Sequence, residues 1–483
     1  MTSRGLQVLS PLDAAFLRLE DRSTSVHIAS VAVFDGPSPT YDEVYAAYLF
    51  KLHLVPRYRQ RVRELPLQLG RPVWVDDVHF NLRYHLRHTA LPRPGTDAQL
   101  RDLVGRLMSQ QLDRGKPLWE AWVVDGLEGD RWAVISKVHH CMVDGIAGTD
   151  LLSLVLDASA DPAPADTLPP PLAPEPGLGR LLLATARTVP HRPASVVRAV
   201  TQAVAHPRQA AVDVAMTARG ALAFARLARP ATSSSLSGPL SPHRRWGWTS
   251  ATLDDVRIIR RSLGGTVNDV VLTAVTRGFR DLLLSRGETP DARAVRTLVP
   301  VSVRGQDGRG ELDNRVSAMI AELPVAEAEP TGRLTAVREE LDRLKRSGEP
   351  QVGGLVTSAA GLAPPPLLSL GLTGVFRLPH RHLVTVATNV PGPQHPLYLC
   401  GRRMAEYYPY VPIADRVRMG VAITSYDGTL GFGVTADEDS TPDLQVLLDG
   451  IDAELRDLLL LAGGRPPTVV DLTDATRPAL QHR

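Results

Sequence analysis

Apolar and polar positions along this chain switch between two periods, and each change of period marks an element. Residues 132–138 (WAVISKV) are rich in β-branched and aromatic side chains, which suit a pleated, half-buried surface and predict a strand. From Ile146 the spacing changes, and Ile146, Leu151, Leu152, Leu154 and Val155 fit a buried helix. Between the two lie adjacent histidines, His139 and His140, followed by Asp144 and Gly145 at the joint. A second helix is predicted over 266–283, where Val267, Val270, Val271, Ala274, Phe279, Leu282 and Leu283 follow the 3.6-residue period and Gly287 is a natural stop. Thr266 and Asp269 have capping-box spacing at its start.

Punctuation divides the chain. Residues 1–160 form a first unit that carries both histidines. Then comes DASADPAPADTLPPPLAPEPGLG (157–179), a Pro/Ala-rich stretch that reads as a linker without regular structure. Residues 181–227 have helical composition, many arginines and Asp213 as the only acid, with Pro190, Pro193 and Pro207 breaking them into short helices. The linker and this basic segment together occupy 161–245, closed by RPATSSSLSGPLSPH (229–243). Strand and helix patterns alternate over 246–464, a second domain, and 465–483 is a tail with little periodicity.

Composition narrows the class. At 483 residues the chain exceeds the usual range of one core, so two domains are expected. A formal net charge of +2 gives no footprint for general nucleic-acid binding. Cys141 and Cys400 are the only cysteines, which implies no disulfide framework and fits a reducing cytoplasm. The start lacks the apolar segment of a signal peptide, and no run reaches the ~18 apolar residues of a membrane span.

The residues alone leave three readings of the histidine pair open. Zinc motifs usually set histidines on one helical face, whereas neighbours at a strand end point to opposite faces, so a metal is disfavoured. One histidine could be a core hydrogen-bond donor, with Asp144 capping the next helix. Or an imidazole, whose pKa lies near neutral, takes the proton from an attacking hydroxyl.

HHCMVDG (139–145) resembles the HHxxxDG signature of the coenzyme A-dependent acyltransferase superfamily, which includes chloramphenicol acetyltransferases, carnitine acyltransferases and the condensation domains of peptide synthetases. Four further stretches, in order, resemble segments of bacterial wax ester synthase/diacylglycerol acyltransferases: LSPLDAAFLRLE (9–20), GKPLWEAWVVDGL (115–127), TVNDVVLTAVTRGFRDLL (266–283) and TNVPGPQHPLYLCG (388–401). The resemblance spans nearly the whole chain.

It implies an α/β fold of two chloramphenicol acetyltransferase-like sandwich domains, mixed sheets flanked by helices, with an active-site channel at their interface. Coenzyme A would enter at one mouth and the lipid alcohol at the other. His140 would be the base, with His139 and Asp144 orienting its loop and Gly145 allowing the tight turn. Arg304 would pair with Asp144, and Asn268 and Asp269 would support the site; by the same resemblance Trp119 and Asn389 would shape the channel. The activity implied is transfer of a long-chain acyl group from acyl-CoA, a co-substrate, to diacylglycerol (triacylglycerol synthesis) or a long-chain alcohol (wax ester synthesis), with no cofactor, no metal and no covalent acyl-enzyme. Two rivals stand beside it: a condensation-like enzyme using a carrier-bound thioester, and a non-catalytic lipid-droplet protein. Water-insoluble substrates and the arginines of 181–227 (Arg187, Arg198, Arg208, Arg219, Arg226) further predict peripheral binding to the inner membrane face or to lipid droplets.

Overall fold

The computed structural model describes residues 6–66, 70–142, 155–161, 167–187, 235–291, 295–302, 316–347, 383–414 and 416–464. The first half of the chain gives β1 (Gln7–Val8), α1 (Pro11–Leu19), β2 (His27–Asp35), α2 (Tyr41–Lys51), β3 (Gln60–Arg63) and β4 (Val73–Asp76). It continues with α3 (Leu82–His85), β5 (Leu86–Ala90), α4 (Asp97–Ser109), β6 (Trp119–Leu127) and β7 (Arg131–His139), and α5 (Leu178–Arg187) follows the proline-rich stretch. The second half begins with β8 (Arg244–Thr252), α6 (Leu253–Leu263), α7 (Val267–Ser285), β9 (Arg296–Ser302), β10 (Val316–Glu322) and α8 (Pro330–Ser347). It ends with β11 (Thr385–Val390), β12 (Tyr398–Leu399), β13 (Arg402–Tyr410), β14 (Met419–Tyr426), β15 (Thr429–Asp437) and α9 (Leu444–Leu461).

Two six-stranded mixed sheets carry the fold, in the orders β12-β13-β2-β7-β6-β5 and β10-β9-β11-β14-β15-β8. This is the expected class: mixed sheets flanked by helices. The first sheet does not follow chain order. Its β12 and β13 come from the far half of the chain, and β13 runs antiparallel to β2 from Met404↔Phe34 to Tyr410↔Ala29. The small sheet β1-β4-β3 pairs with neither, though Trp74 of β4 packs into the core of the first sheet.

The predicted strand at 132–138 is the middle of β7, buried along nearly its whole length because both faces of its sheet are covered. One face packs Phe34, Trp132 and Val134 with Val44 and Tyr48 of α2. The other packs Val31, Ala133 and Ile135 with Leu100, Val104 and Leu107 of α4. Buried Lys137 donates to the carbonyls of Leu107 and Gln110, where the C-terminal dipole of α4 favours a cation. In the second sheet, Val421, Ile423, Phe432 and Val434 meet Val271, Phe279, Leu447 and Ile451 from α7 and α9. The capping box of α7 is present: the Asp269 carboxylate accepts the Thr266 N–H at 2.7 Å, and the Thr266 hydroxyl accepts the Asp269 N–H at 3.3 Å.

The proline-rich stretch has no helix or strand over 167–177, as its composition predicts, yet it is pinned to the small sheet. Arg59 donates to the Pro170 carbonyl, Arg61 pairs with Glu175 at 2.7 Å, and the Ala173 N–H reaches Asp76 at 2.9 Å. Of the basic segment, 181–187 is described, as most of α5. Its Leu181 packs on Val73 and Val75, while Leu178 and Leu183 are 51% and 53% exposed.

Candidate active site

The two sheets enclose a cavity of about 860 Å³. The first sheet contributes Ile28 and Ser30 of β2 and Tyr407, Pro409 and Tyr410 of β13. The second contributes Leu298 of β9, Val386, Thr388 and Val390 of β11, and Ala422 and Thr424 of β14. The walls are predominantly apolar, as sites for lipid-like ligands are. Two backbone approaches set this geometry. A Cβ on Gly433 would overlap the Pro409 carbonyl, so a glycine in β15 lets β13 lie against it. A Cβ on Gly392, in TNVPGP, would overlap the Ser425 carbonyl, and the Gly392 N–H donates to the Ser425 hydroxyl at 3.2 Å.

His140 lines this cavity. It opens a single 3-10 turn, His140–Met142, directly after β7. Its N–H donates to the Val26 carbonyl at 2.9 Å, and its ring lies 4.4 Å from the ring of Phe16 on α1. His139, one residue earlier, points the other way and is 1% exposed. Its N–H donates to the Leu118 carbonyl of GKPLW at 2.9 Å. Its Nδ1 accepts the Cys141 N–H at 3.1 Å, which leaves the ring proton on Nε2, facing Glu20 at 3.8 Å.

Behind the pair lies a buried polar cluster that the sequence pattern did not single out. His27 stands opposite His139 in the β2–β7 register, and its Nε2 is 2.9 Å from Glu20. Arg114 donates to the same carboxylate at 2.9 Å. Burial opposes the charge on Glu20, but His27, His139 and Arg114 outweigh it and hold the carboxyl below its usual range. Burial drives His139 down to about 3 and lowers His27 as well, so both rings are neutral near pH 7. Glu20 ends the quoted segment 9–20; its separation from His139 in sequence hides the contact.

The other expected site residues fall in three places. Asn268, at the start of α7, accepts a long contact of 3.5 Å from the Asn389 amide. Asn389 sits between two cavity-lining residues of β11 and faces the opposite side, as does Ala387, which packs with Leu272 of α7. With Asp269 in the capping box, these residues join β11 to α7 just behind the cavity wall. Trp119 is 1% exposed in the first sheet's core and does not line the cavity. Its ring stacks on His85 at 4.7 Å and its Nε1 donates to the Tyr58 carbonyl at 2.8 Å. Asp144, Gly145 and Arg304 lie outside the described residues. Among the described residues, no group of three or more His, Cys, Asp or Glu is placed to hold a metal ion.

Comparison with known proteins gives the site its family. Residues 9–271 match the model of the wax ester synthase/diacylglycerol acyltransferase catalytic domain, and 312–459 match the C-terminal domain of the same family. A probable diacylglycerol O-acyltransferase of Mycobacterium tuberculosis is 39% identical over 464 residues, covering 95% of this chain and 97% of that protein. The solved wax ester synthase/diacylglycerol acyltransferase from Marinobacter aquaeolei is 27% identical with a TM-score of 0.65, over 95% of this chain and all (100%) of that one. The first condensation domain of the CDA synthetase shares the fold at 14% identity, with a TM-score of 0.56 over 95% of this chain and 97% of that one. With both domain models matched in order along a chain whose two sheets enclose His140, this protein is an acyltransferase that belongs to the wax ester synthase/diacylglycerol acyltransferase family.

Proposed function

We propose that the protein transfers a long-chain acyl group from acyl-CoA to the hydroxyl of diacylglycerol or of a long-chain alcohol, with His140 as general base. The observation that carries this reading is the position of His140: it is an imidazole in the wall of an apolar cavity shared by both sheets, against Phe16. An alcohol's pKa is far above neutral, so proton removal must accompany attack. The acceptor oxygen bonds to the thioester carbon while its proton passes to His140. The tetrahedral intermediate then expels the CoA sulfur, which takes that proton from His140. No cofactor enters the sequence. His139 and Asp144 orient the turn, Arg304 pairs with Asp144 to hold it, and Asn268, Asp269 and Asn389 brace the wall at β11. The M. tuberculosis relative's name as a diacylglycerol O-acyltransferase supports diacylglycerol as the acceptor.

The same reading places the protein peripherally on a membrane or lipid-droplet surface. No described helix is long and apolar enough to cross a membrane. What supports surface binding is α5, with Leu178, Leu183 and Arg180 exposed, leading into the arginine-rich residues up to 227.

Labelled palmitoyl-CoA incubated with the protein and either diacylglycerol or hexadecanol, followed by lipid separation, tests the activity. Labelled triacylglycerol or wax ester is expected. Product formed from a carrier-bound thioester but not from palmitoyl-CoA would overturn the proposed donor. No ester from either donor would favour a lipid-binding role.

A further inference from the structure

The proposed chemistry develops a negative charge on the thioester oxygen, and an apolar cavity stabilises it poorly unless a donor is aimed at it. The polar groups of the cavity narrow the choice of donor. The Ser23 hydroxyl donates to Asp21 at 2.8 Å, and that of Thr424 to the Val390 carbonyl at 3.1 Å. The Tyr410 phenol is buried beside Thr435, and Ser30 and Tyr407 have partners of their own. Thr388 and the exposed Arg416 differ: among the described residues no protein group bonds either side chain, and of the two Thr388 is the one on a strand of the wall.

Position reinforces this. Alternation along β11 turns Val386, Thr388 and Val390 into the cavity. Thr388 is the middle one, beside Ala422 in the register with β14. Val386 and Ala422 are apolar, and valine would fill the place of Thr388 with the same shape and equal fitness for a strand. A hydroxyl on this wall without a partner among the described residues has bonding capacity to spare for a ligand. His140 comes from the end of β7 in the first sheet and Thr388 from the second, so both line the cavity in which a thioester would sit between the sheets.

We infer that Thr388 is a catalytic residue, donating its O–H to the thioester oxygen as that oxygen becomes an oxyanion. This rests on the reading of His140 as base. As the acceptor oxygen bonds to the carbonyl carbon, the C=O π pair moves to oxygen and the acceptor proton to His140. When the C=O bond re-forms, the C–S bond breaks and the proton passes from His140 to sulfur. Thr388 keeps its proton throughout.

Thr388→Val, Thr388→Ser and His140→Ala, each assayed with palmitoyl-CoA and diacylglycerol, test the inference. Thr388→Val is expected to lose about 10²–10³-fold in kcat. Its KM for palmitoyl-CoA should stay within about threefold of wild type, because the bond strengthens only in the transition state. Its melting temperature and its binding of a non-hydrolysable thioether analogue of palmitoyl-CoA should be unchanged, and Thr388→Ser should recover most of kcat. A Thr388→Val kcat within about threefold of wild type, with His140→Ala inactive, would overturn the role of Thr388 and leave the base standing. A loss that Ser does not restore, with a lowered melting temperature, would also overturn it and assign Thr388 to strand packing. A fully active His140→Ala would remove both.

Discussion

His139 and His140 are adjacent in the chain but sit in different media, one in a sealed protein interior and the other in a ligand-sized cavity. The interior ring has a consequence for stability. Burial takes His139 to about 3 and His85 to about 4, and it lowers His27. An unfolded histidine binds its proton near pH 6.5, so below that pH the unfolded chain takes up protons that the folded chain refuses. Stability should be full above about pH 6.5 and fall toward the folded values, by up to about 1.4 kcal/mol per pH unit for each histidine. Denaturant titrations between about pH 7 and pH 5 should give a slope approaching two protons from His139 and His85, with His27 adding in the same direction, and His85→Phe should lower it by about one. A flat profile would contradict the neutral, buried state of these rings. Part of this scale was legible: neighbours at a strand end point to opposite faces, while the choice of His140 as the presented ring came from the motif resemblance. Glu20 and His27 were not legible, because cross-strand pairing brings them together. Nor was Thr388, because only the facing of β11 shows which residue of TNVPGP meets the cavity.

At the scale of elements, α7 and β7 stand where periodicity places them, because each buries a stripe long enough to read. The capping box at Thr266 was legible for the same reason, and Thr266→Ala should cost about 1 kcal/mol in thermal or denaturant unfolding. Register and close approach are different, since they depend on a partner element that sequence does not identify. The glycine of TNVPGP proves to be a point of close approach to β14. Gly433→Ala should force β13 and β15 apart, costing about 1–3 kcal/mol, and should lower activity by distorting the Pro409–Tyr410 wall. Wild-type stability and activity in that variant would mean that the two strands can separate freely.

For the whole molecule, the exchange of β12 and β13 into the first sheet binds the two halves of the chain into one structure. A fragment 1–245 would leave β2 without one of its two neighbours and strip Trp246, Trp248, Tyr408 and Tyr410 from a shared core. It should aggregate or unfold without cooperativity, and a soluble, cooperatively unfolding fragment would count against that dependence. The two-sheet class was legible through motif resemblance, whereas the exchange was not, because the strand at 402–410 looks like any other. The proposed surface binding is also a matter for the whole molecule. Arginines near an anionic surface contribute about 1 kcal/mol each. Co-sedimentation with anionic vesicles should therefore weaken with salt and in an Arg198/Arg208/Arg219→Gln triple variant. Equal binding by both proteins at low and high salt would make the segment a linker only.

The central claim is that His140 takes the acceptor proton within the cavity between the sheets. Its most direct test is the rate of labelled triacylglycerol formation from palmitoyl-CoA and diacylglycerol by His140→Ala and His139→Ala, each checked for melting temperature and acyl-CoA binding. His140→Ala should form no ester while keeping its fold and its acyl-CoA binding, and His139→Ala should retain more activity. A folded His140→Ala with near wild-type activity, beside an inactive His139→Ala, would contradict it.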